Sequence, residues 1–199
     1  MSNSANNNSL FPLFIKLEGL QLLIVGGGNV ALEKLQVVLA NSPQTSVTLV
    51  AKVINAAIYQ LAKENPNINL VERAYAVTDL DTADIVIVAV NDIELAKQIH
   101  EDARFKKLLV NVADKPDYCD FYLSSVVKKG NLKIAISTNG RSPTVAKRLK
   151  ELFNDLLPDE IDDVLNNLEV IRAGLSGNIA DKIIQLNDIT KVLAEKKKE

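Results

Sequence analysis

Cysteine and histidine are almost missing from this chain: Cys119 and His100 are the only ones among 199 residues. A single thiol excludes an intrachain disulfide, and the two together leave too few soft ligands for a structural zinc. A reducing cytosol is the expected compartment, so the chain is expected to be cytoplasmic. Cys119, with no partner nearby in sequence, is expected to be structural. Long apolar runs are lacking too, so no membrane span is expected. Residues 1–9 show neither the basic nor the apolar region of a signal peptide, and residues 1–10 are expected to form a disordered polar tail. Charge of one sign is equally scarce: 23 basic against 25 acidic side chains give a net charge of −2. No global field draws such a chain to nucleic acid or to anionic lipid.

What is present is ordinary globular material, 47% apolar and 24% charged, enough for one full domain with a smaller appendage. Its organising stretch is Leu20-Gln21-Leu22-Leu23-Ile24-Val25-Gly26-Gly27-Gly28, followed by Asn29-Val30-Ala31-Leu32-Glu33-Lys34. A continuous apolar run reads as a buried parallel strand, while Ala31, Leu35, Val38 and Leu39 recur at helical spacing. The three glycines thus lie between strand and helix. Gly26 suits the tight turn, Gly28 lets a pyrophosphate approach the backbone, and Ala31 takes the third small position of a G-x-G-x-x-A fingerprint. Backbone N–H groups and the positive end of the helix dipole would face the phosphates of a dinucleotide.

The pattern then alternates. Phe11–Leu17 reads as a short strand with core aromatics, Ser46–Ala51 as the second strand of a βαβ unit, Ile54–Glu64 as a helix and Ile68–Arg73 as a third strand. Ala83–Val90 is almost wholly β-branched or small, as the middle of a parallel sheet requires, and Asp92 is placed to cap a helix over Ile93–Phe105. The apolar face of that helix carries Ile93, Ala96, Ile99 and Ala103, and His100 is expected on its exposed side. Leu108–Ala113 is the fifth strand of a doubly wound sheet. Ligands of such sheets lie outside the carboxyl ends of the strands, where Gly26–Gly28, Ala51-Lys52, Asn91-Asp92 and Asn111–Asp114 all fall. The acid that often ends the second strand is replaced by Ala51-Lys52-Val53. Backbone groups holding the ribose, Lys52 facing a 2′-phosphate, and Lys52 as a solvated charge all remain open.

Beyond Asp120 two strands joined by Gly130-Asn131 are expected, then a helix capped by Ser142 with Pro143 in its first turn. Arg141, Lys147, Arg148 and Lys150 crowd its start, which suits a ligand rich in carboxylates, although charge runs are usually solvated faces. Helices over Glu160–Ala173, with an amphipathic face of Ile161, Val164, Leu165, Leu168 and Ile171, and over Ile179–Lys198 complete the chain.

Four segments together resemble precorrin-2 dehydrogenase of sirohaem biosynthesis: Phe11-Pro12-Leu13-Phe14, Val25–Lys34, Asn111-Val112-Ala113-Asp114 and Ile134–Pro143. The resemblance covers residues 11–157. It implies NAD-dependent oxidation of precorrin-2 to sirohydrochlorin and, in some members, insertion of ferrous iron to give sirohaem. It also implies a homodimer with the active site in a cleft between domains. The expected architecture is α/β: a Rossmann-like doubly wound parallel sheet over 11–118, a small α+β dimerisation region over 119–157 and a helical C-terminal domain over 158–199. Gly26, Gly27, Gly28, Asn29, Val30, Lys52, Val53 and Asn91 would line the NAD. Asp114 matches the family's active-site aspartate, and a carboxylate at a strand end suits a base that takes a proton while a hydride leaves. Asn111, Thr138, Arg141, Ser142, Lys147 and Arg148 would contact the tetrapyrrole. Ser124 stands where the family commonly has proline, which bears on chelatase competence. The family's fused methyltransferase domain has no counterpart here, so methylation of uroporphyrinogen is expected from a separate protein. Two alternatives stand beside this reading: a dehydrogenase without chelatase activity, and a non-catalytic regulator that binds NAD or tetrapyrrole.

Overall fold

A computed structural model describes residues 8–176 and 178–190, which fall into two compact units. The first runs to Leu123 and includes Asn139–Arg141; the second comprises Ser124–Thr138 and the chain from Ser142. The proposed tail at 1–10 lies mostly outside the described residues, as does the last part of the helix expected to reach Lys198.

The first unit is built on five parallel strands: β1 (Gln21–Val25), β2 (Ser46–Ala51), β3 (Ile68–Glu72), β4 (Ile85–Val88) and β5 (Leu109–Val112). Their spatial order is β3-β2-β1-β4-β5, so the chain reverses direction across the sheet between β1 and β4. Helices α1 (Asn29–Asn41), α2 (Ala56–Glu64) and α3 (Ile93–Phe105) make the crossovers. Both sheet faces are covered, which is why β1 and β4 are apolar without alternation. Leu22, Ile24 and Leu49 pack with Ala31, Leu35 and Ile58 on one face. Leu23, Val25, Val86 and Val88 pack with Ala96, Ile99 and Ala103 on the other.

The second unit holds an antiparallel pair, β6 (Ser125–Lys129) and β7 (Leu132–Ile136), with α4 (Pro143–Leu156), α5 (Ile161–Gly174) and α6 (Ile179–Thr190). Gly130 turns the hairpin at φ +53°, and Asp162 in the first turn of α5 accepts from the Asn131 N–H at 2.6 Å. Ser142 caps α4 by accepting from the Val145 N–H at 3.2 Å, with Pro143 directly after it. Among the described apolar residues of this unit, only Val127 and Ala146 are buried.

Three expectations are corrected. Phe11–Leu17 forms no strand, and Phe11 and Phe14 are exposed rather than core. Both edges of β1 are already taken by β2 and β4, and Pro12 lacks the N–H that a ladder needs. Ile93 is 55% exposed, because it opens α3 beyond the end of the sheet. His100 is half-buried, its ring 5.0 Å from that of Tyr118 at 38°.

Candidate functional site

The carboxyl ends of β1, β2 and β4 open into a cavity of about 630 Å³, lined by the glycine turn, Ala51-Lys52-Val53, Arg73-Ala74-Tyr75 and Ala89-Val90-Asn91-Asp92. All eight residues expected to line a dinucleotide, Gly26, Gly27, Gly28, Asn29, Val30, Lys52, Val53 and Asn91, are in its wall. Parallel pairing explains the convergence: segments far apart in sequence leave the sheet on the same edge.

The turn itself is locked. Gly26 sits at φ +126°, its N–H donating to the Val50 carbonyl at 2.9 Å, and a Cβ there would collide with the Ala89 carbonyl oxygen. A Cβ on Gly27 would run into the Val53 carbonyl, and the Gly27 carbonyl accepts from the Asn55 N–H at 2.8 Å. Gly28 differs, since a Cβ there would meet nothing within 4 Å. It is the N-cap of α1, and no side chain caps that helix. The first N–H groups of α1 are thus left for an anion, and the space they face is open. Such a turn fits the pyrophosphate of a dinucleotide.

Sequence reading missed three contributors. Asn55 caps α2 by accepting from the Ala57 N–H at 2.8 Å and donates to Asn29 Oδ1 at 2.9 Å, tying the loop after β2 to the start of α1. Its position just before Ala56-Ala57 was the available signal. Arg73 lines the cavity while its guanidinium grips Asp79 with both amino groups and donates to the Ala74 carbonyl at 2.9 Å. That guanidinium holds the Asp79 carboxyl below its ordinary value, against the opposing effect of burial. Tyr75 donates to Asp102 Oδ2 at 3.0 Å; burial first, and that bond second, raise its phenol far above its ordinary range.

Asp114 follows β5 at the same edge of the sheet. The Ala113 N–H donates to the Val88 carbonyl at 2.9 Å, fixing the end of β5 to the end of β4, whose continuation Ala89–Asp92 is cavity wall. Asp114 then adopts φ +58°, a left-handed conformation that costs non-glycine residues energy, aspartate and asparagine less than the others. Its side chain is exposed, and no hydrogen bond or ion pair engages it among the described residues.

Asn111 lies three residues earlier, within β5, and is buried, its amide donating to the Phe121 carbonyl at 2.8 Å and to Cys119 Sγ at 3.5 Å. Cys119 in turn donates to the Val112 carbonyl at 3.2 Å, and burial pushes its thiol up. In the second unit the Thr138 hydroxyl accepts from the Ser142 N–H at 3.1 Å and lies 3.1 Å from the Ser142 carbonyl, while Ser142 Oγ caps α4. Both hydroxyls therefore hold the start of this helix. Lys147 is exposed, and Arg148 is exposed with Glu151 at 2.8 Å; Arg141, assigned to the first unit, is exposed as well. Among the described residues no cluster of three or more histidine, cysteine or carboxylate side chains stands ready for a metal, and no helix is long and apolar enough to cross a membrane.

Comparisons with known proteins agree with this geometry. The family described as "Putative NAD(P)-binding" matches residues 13–125, and that described as "Sirohaem biosynthesis protein central" matches 129–156. Siroheme synthase of Psychrobacter arcticus is 37% identical over 148 residues, 74% of this chain and 26% of that protein. Siroheme synthase of Neisseria meningitidis serogroup C is 34% identical over 154 residues, 77% of this chain and 32% of that protein. The chain thus spans about a quarter to a third of the length of these relatives. A solved structure titled "SirC, precorrin-2 dehydrogenase" superposes with a TM-score of 0.68 at 24% identity, over 90% of this chain and 89% of that one, and so shares its fold. With the matched residues 13–125 containing the whole parallel sheet and its glycine turn, the chain belongs to the putative NAD(P)-binding family.

Proposed function

We propose that this chain oxidises precorrin-2 to sirohydrochlorin with NAD, using Asp114 as base, and does so as a cytoplasmic homodimer. The observation that carries the reading is the strained, unengaged Asp114 at the same sheet edge as a cavity walled by a bare glycine turn. Strain of this kind is retained where surrounding structure compensates for it, commonly at sites of chemistry. The similarity to siroheme synthases, and the fold shared with a precorrin-2 dehydrogenase, support the substrate assignment.

Gly28 and the first turn of α1 hold the pyrophosphate, and Val30, Lys52, Val53 and Asn91 flank the rest of the cofactor. Bound NAD supplies a two-electron acceptor. Precorrin-2 loses two hydrogens: one leaves carbon as a hydride, and Asp114 takes the other as a proton, so the reaction balances. Arg141, Lys147 and Arg148 are proposed to receive the substrate's acidic arms. Thr138 and Ser142 enter by positioning that segment, and Asn111 by fixing the end of β5.

The homodimer is supported by the second unit, whose apolar Leu152, Leu156, Val170, Ile179, Ile183 and Ile184 are all more than half exposed. A unit with two buried apolar side chains among its described residues needs further cover. Ferrous iron is a proposed second substrate, with Asp114 accepting the protons that pyrrole nitrogens release. Insertion assayed from sirohydrochlorin without NAD tests this; a rate equal to the non-enzymatic background leaves a dehydrogenase alone. The dehydrogenase itself is tested by anaerobic incubation with precorrin-2 and NAD. Growth of the sirohydrochlorin absorbance supports it, and an unchanged spectrum with NAD bound leaves a binding protein instead.

A further inference from the structure

We infer that Asp120 is a positioning residue for the proposed oxidation: it closes the loop that carries Asp114, ties that loop to α3, and so fixes where the Asp114 carboxylate stands. The inference rests on the reading of Asp114 as base and extends it to a residue that has no place in the cavity wall.

Asp114 has little of its own to hold it. Its side chain is exposed and unengaged among the described residues, and its backbone stands at φ +58°. The main chain on either side therefore sets the place of its carboxylate. Upstream the sheet does this, through the bond from the Ala113 N–H to the Val88 carbonyl. Downstream no further strand follows, because β5 ends the strand order. The outer edge of β5 is taken instead by the chain as it doubles back. The Asp120 N–H donates to the Val110 carbonyl at 2.8 Å, and Asp120 Oδ2 accepts from the Val110 N–H at 3.1 Å. Cys119 Sγ accepts from the Val112 N–H at 3.3 Å. Residues 113–118 thus form a closed loop with both ends fastened to one strand. Within it the Lys115 N–H donates to the Val112 carbonyl at 3.2 Å and the Tyr118 N–H to the Lys115 carbonyl at 3.0 Å.

Among these fastenings Asp120 is the charged one. Its Oδ1 accepts from Arg104 at 2.7 Å, and its side chain is only 20% exposed. Charge-assisted bonds of this kind are about twice as strong as neutral ones. Arg104 lies in the last turn of α3, next to Ala103, which is buried against the sheet together with Ile99. One carboxylate therefore joins the loop, the edge of β5 and a helix seated on the sheet. The ring contact between Tyr118 and His100 joins the same loop to the same helix. Removing the carboxylate leaves the Val110 N–H and Arg104 without their shared partner and slackens the downstream end of the loop. A reacting group displaced by about 1 Å costs on the order of a hundredfold in rate. The glycine turn and the cavity wall at the ends of β1, β2 and β4 do not include these residues, so NAD binding is left as it is.

The test is anaerobic precorrin-2 oxidation by the full chain, with NAD affinity and melting temperature measured alongside. The proteins are the wild type, Asp120→Ala, Arg104→Met and Asp114→Asn, with the first two substitutions also placed in the Asp114→Asn background, and rates are compared well below each melting temperature. Asp120→Ala is expected to lower kcat by about tenfold or more, with the substrate KM and the NAD Kd within about twofold of wild type. In the Asp114→Asn background the same change is expected to lower the residual rate by less than about twofold, since a base that is absent cannot be misplaced. Arg104→Met keeps both bonds between Asp120 and Val110 and is expected to lower kcat about threefold, again only where Asp114 is present. It carries the test where Asp120→Ala does not fold. A wild-type kcat in Asp120→Ala, or in Arg104→Met where the alanine variant does not fold, overturns the inference and leaves the proposed function standing. An equal fall in rate with and without Asp114 does the same, since it marks a merely structural role. Full turnover by Asp114→Asn overturns the reading of Asp114 as base and the inference with it.

Discussion

Gly26 and Ala89 meet backbone to backbone: the space a Gly26 side chain would need is filled by the Ala89 carbonyl, where β1 and β4 diverge at the sheet's switch point. The turn that opens the cavity is therefore part of the sheet's packing. Gly26→Ala must move a main chain held by the Ala89 N–H to Val25 carbonyl bond of 2.7 Å and also adopt φ +126°. A loss of about 2–4 kcal/mol is expected from strain and overpacking together, read as a lower denaturant midpoint. A stability equal to wild type would show that the turn is not locked in this way.

Gly28→Asp provides the contrast. A Cβ there meets nothing within 4 Å, so stability should change by less than about 0.5 kcal/mol, while the carboxylate is added beside the proposed pyrophosphate. NAD affinity should fall by at least about tenfold, the equivalent of 1.4 kcal/mol of charge repulsion. Unchanged affinity in a titration would exclude this turn as the phosphate site.

Asp114→Asn preserves shape and removes charge, and asparagine tolerates the left-handed conformation at φ +58°. Oxidation should fall by two to four orders of magnitude, the usual worth of a general base, with NAD affinity within about twofold of wild type. Parallel loss of both would make Asp114 a structural residue of the strand end.

The Arg73–Asp79 pair predicts a pH dependence. Arg73 lowers the folded-state pKa of Asp79 below its unfolded value, so the pair's stabilisation is present above the ordinary carboxylate range and is lost as pH falls through the lowered value. Asp79→Asn should cost about 1 kcal/mol at neutral pH, as for a partly exposed pair, and its deficit should vanish in strong acid. A deficit that persists unchanged below the titration range would assign the effect to packing.

Much of this site was legible in sequence because its parts are backbone devices with local signatures. The glycine turn announces itself through the apolar strand before it and the helical spacing after it. Ser46–Ala51 and Ile93–Phe105 have the expected boundaries because a β-branched run and an Asp92 cap act within a few residues. What stayed hidden depends on distant chain. Arg73 joins the cavity only because β3 lies beside β2, and Thr138 turns inward because Ser142 needs its hydroxyl. Phe11–Leu17 shows the reverse error, a strand-like pattern beside a strand, β1, whose two edges are already paired.

The proposed chemistry is tested most directly by following one hydrogen. Precorrin-2 carrying deuterium at the carbon to be oxidised is incubated anaerobically with the chain and NAD, and the nicotinamide is recovered for mass spectrometry. One deuterium in the reduced nicotinamide for each sirohydrochlorin formed is the expected result. Deuterium retained in the tetrapyrrole or released to water, with no reduced nicotinamide formed, would contradict it.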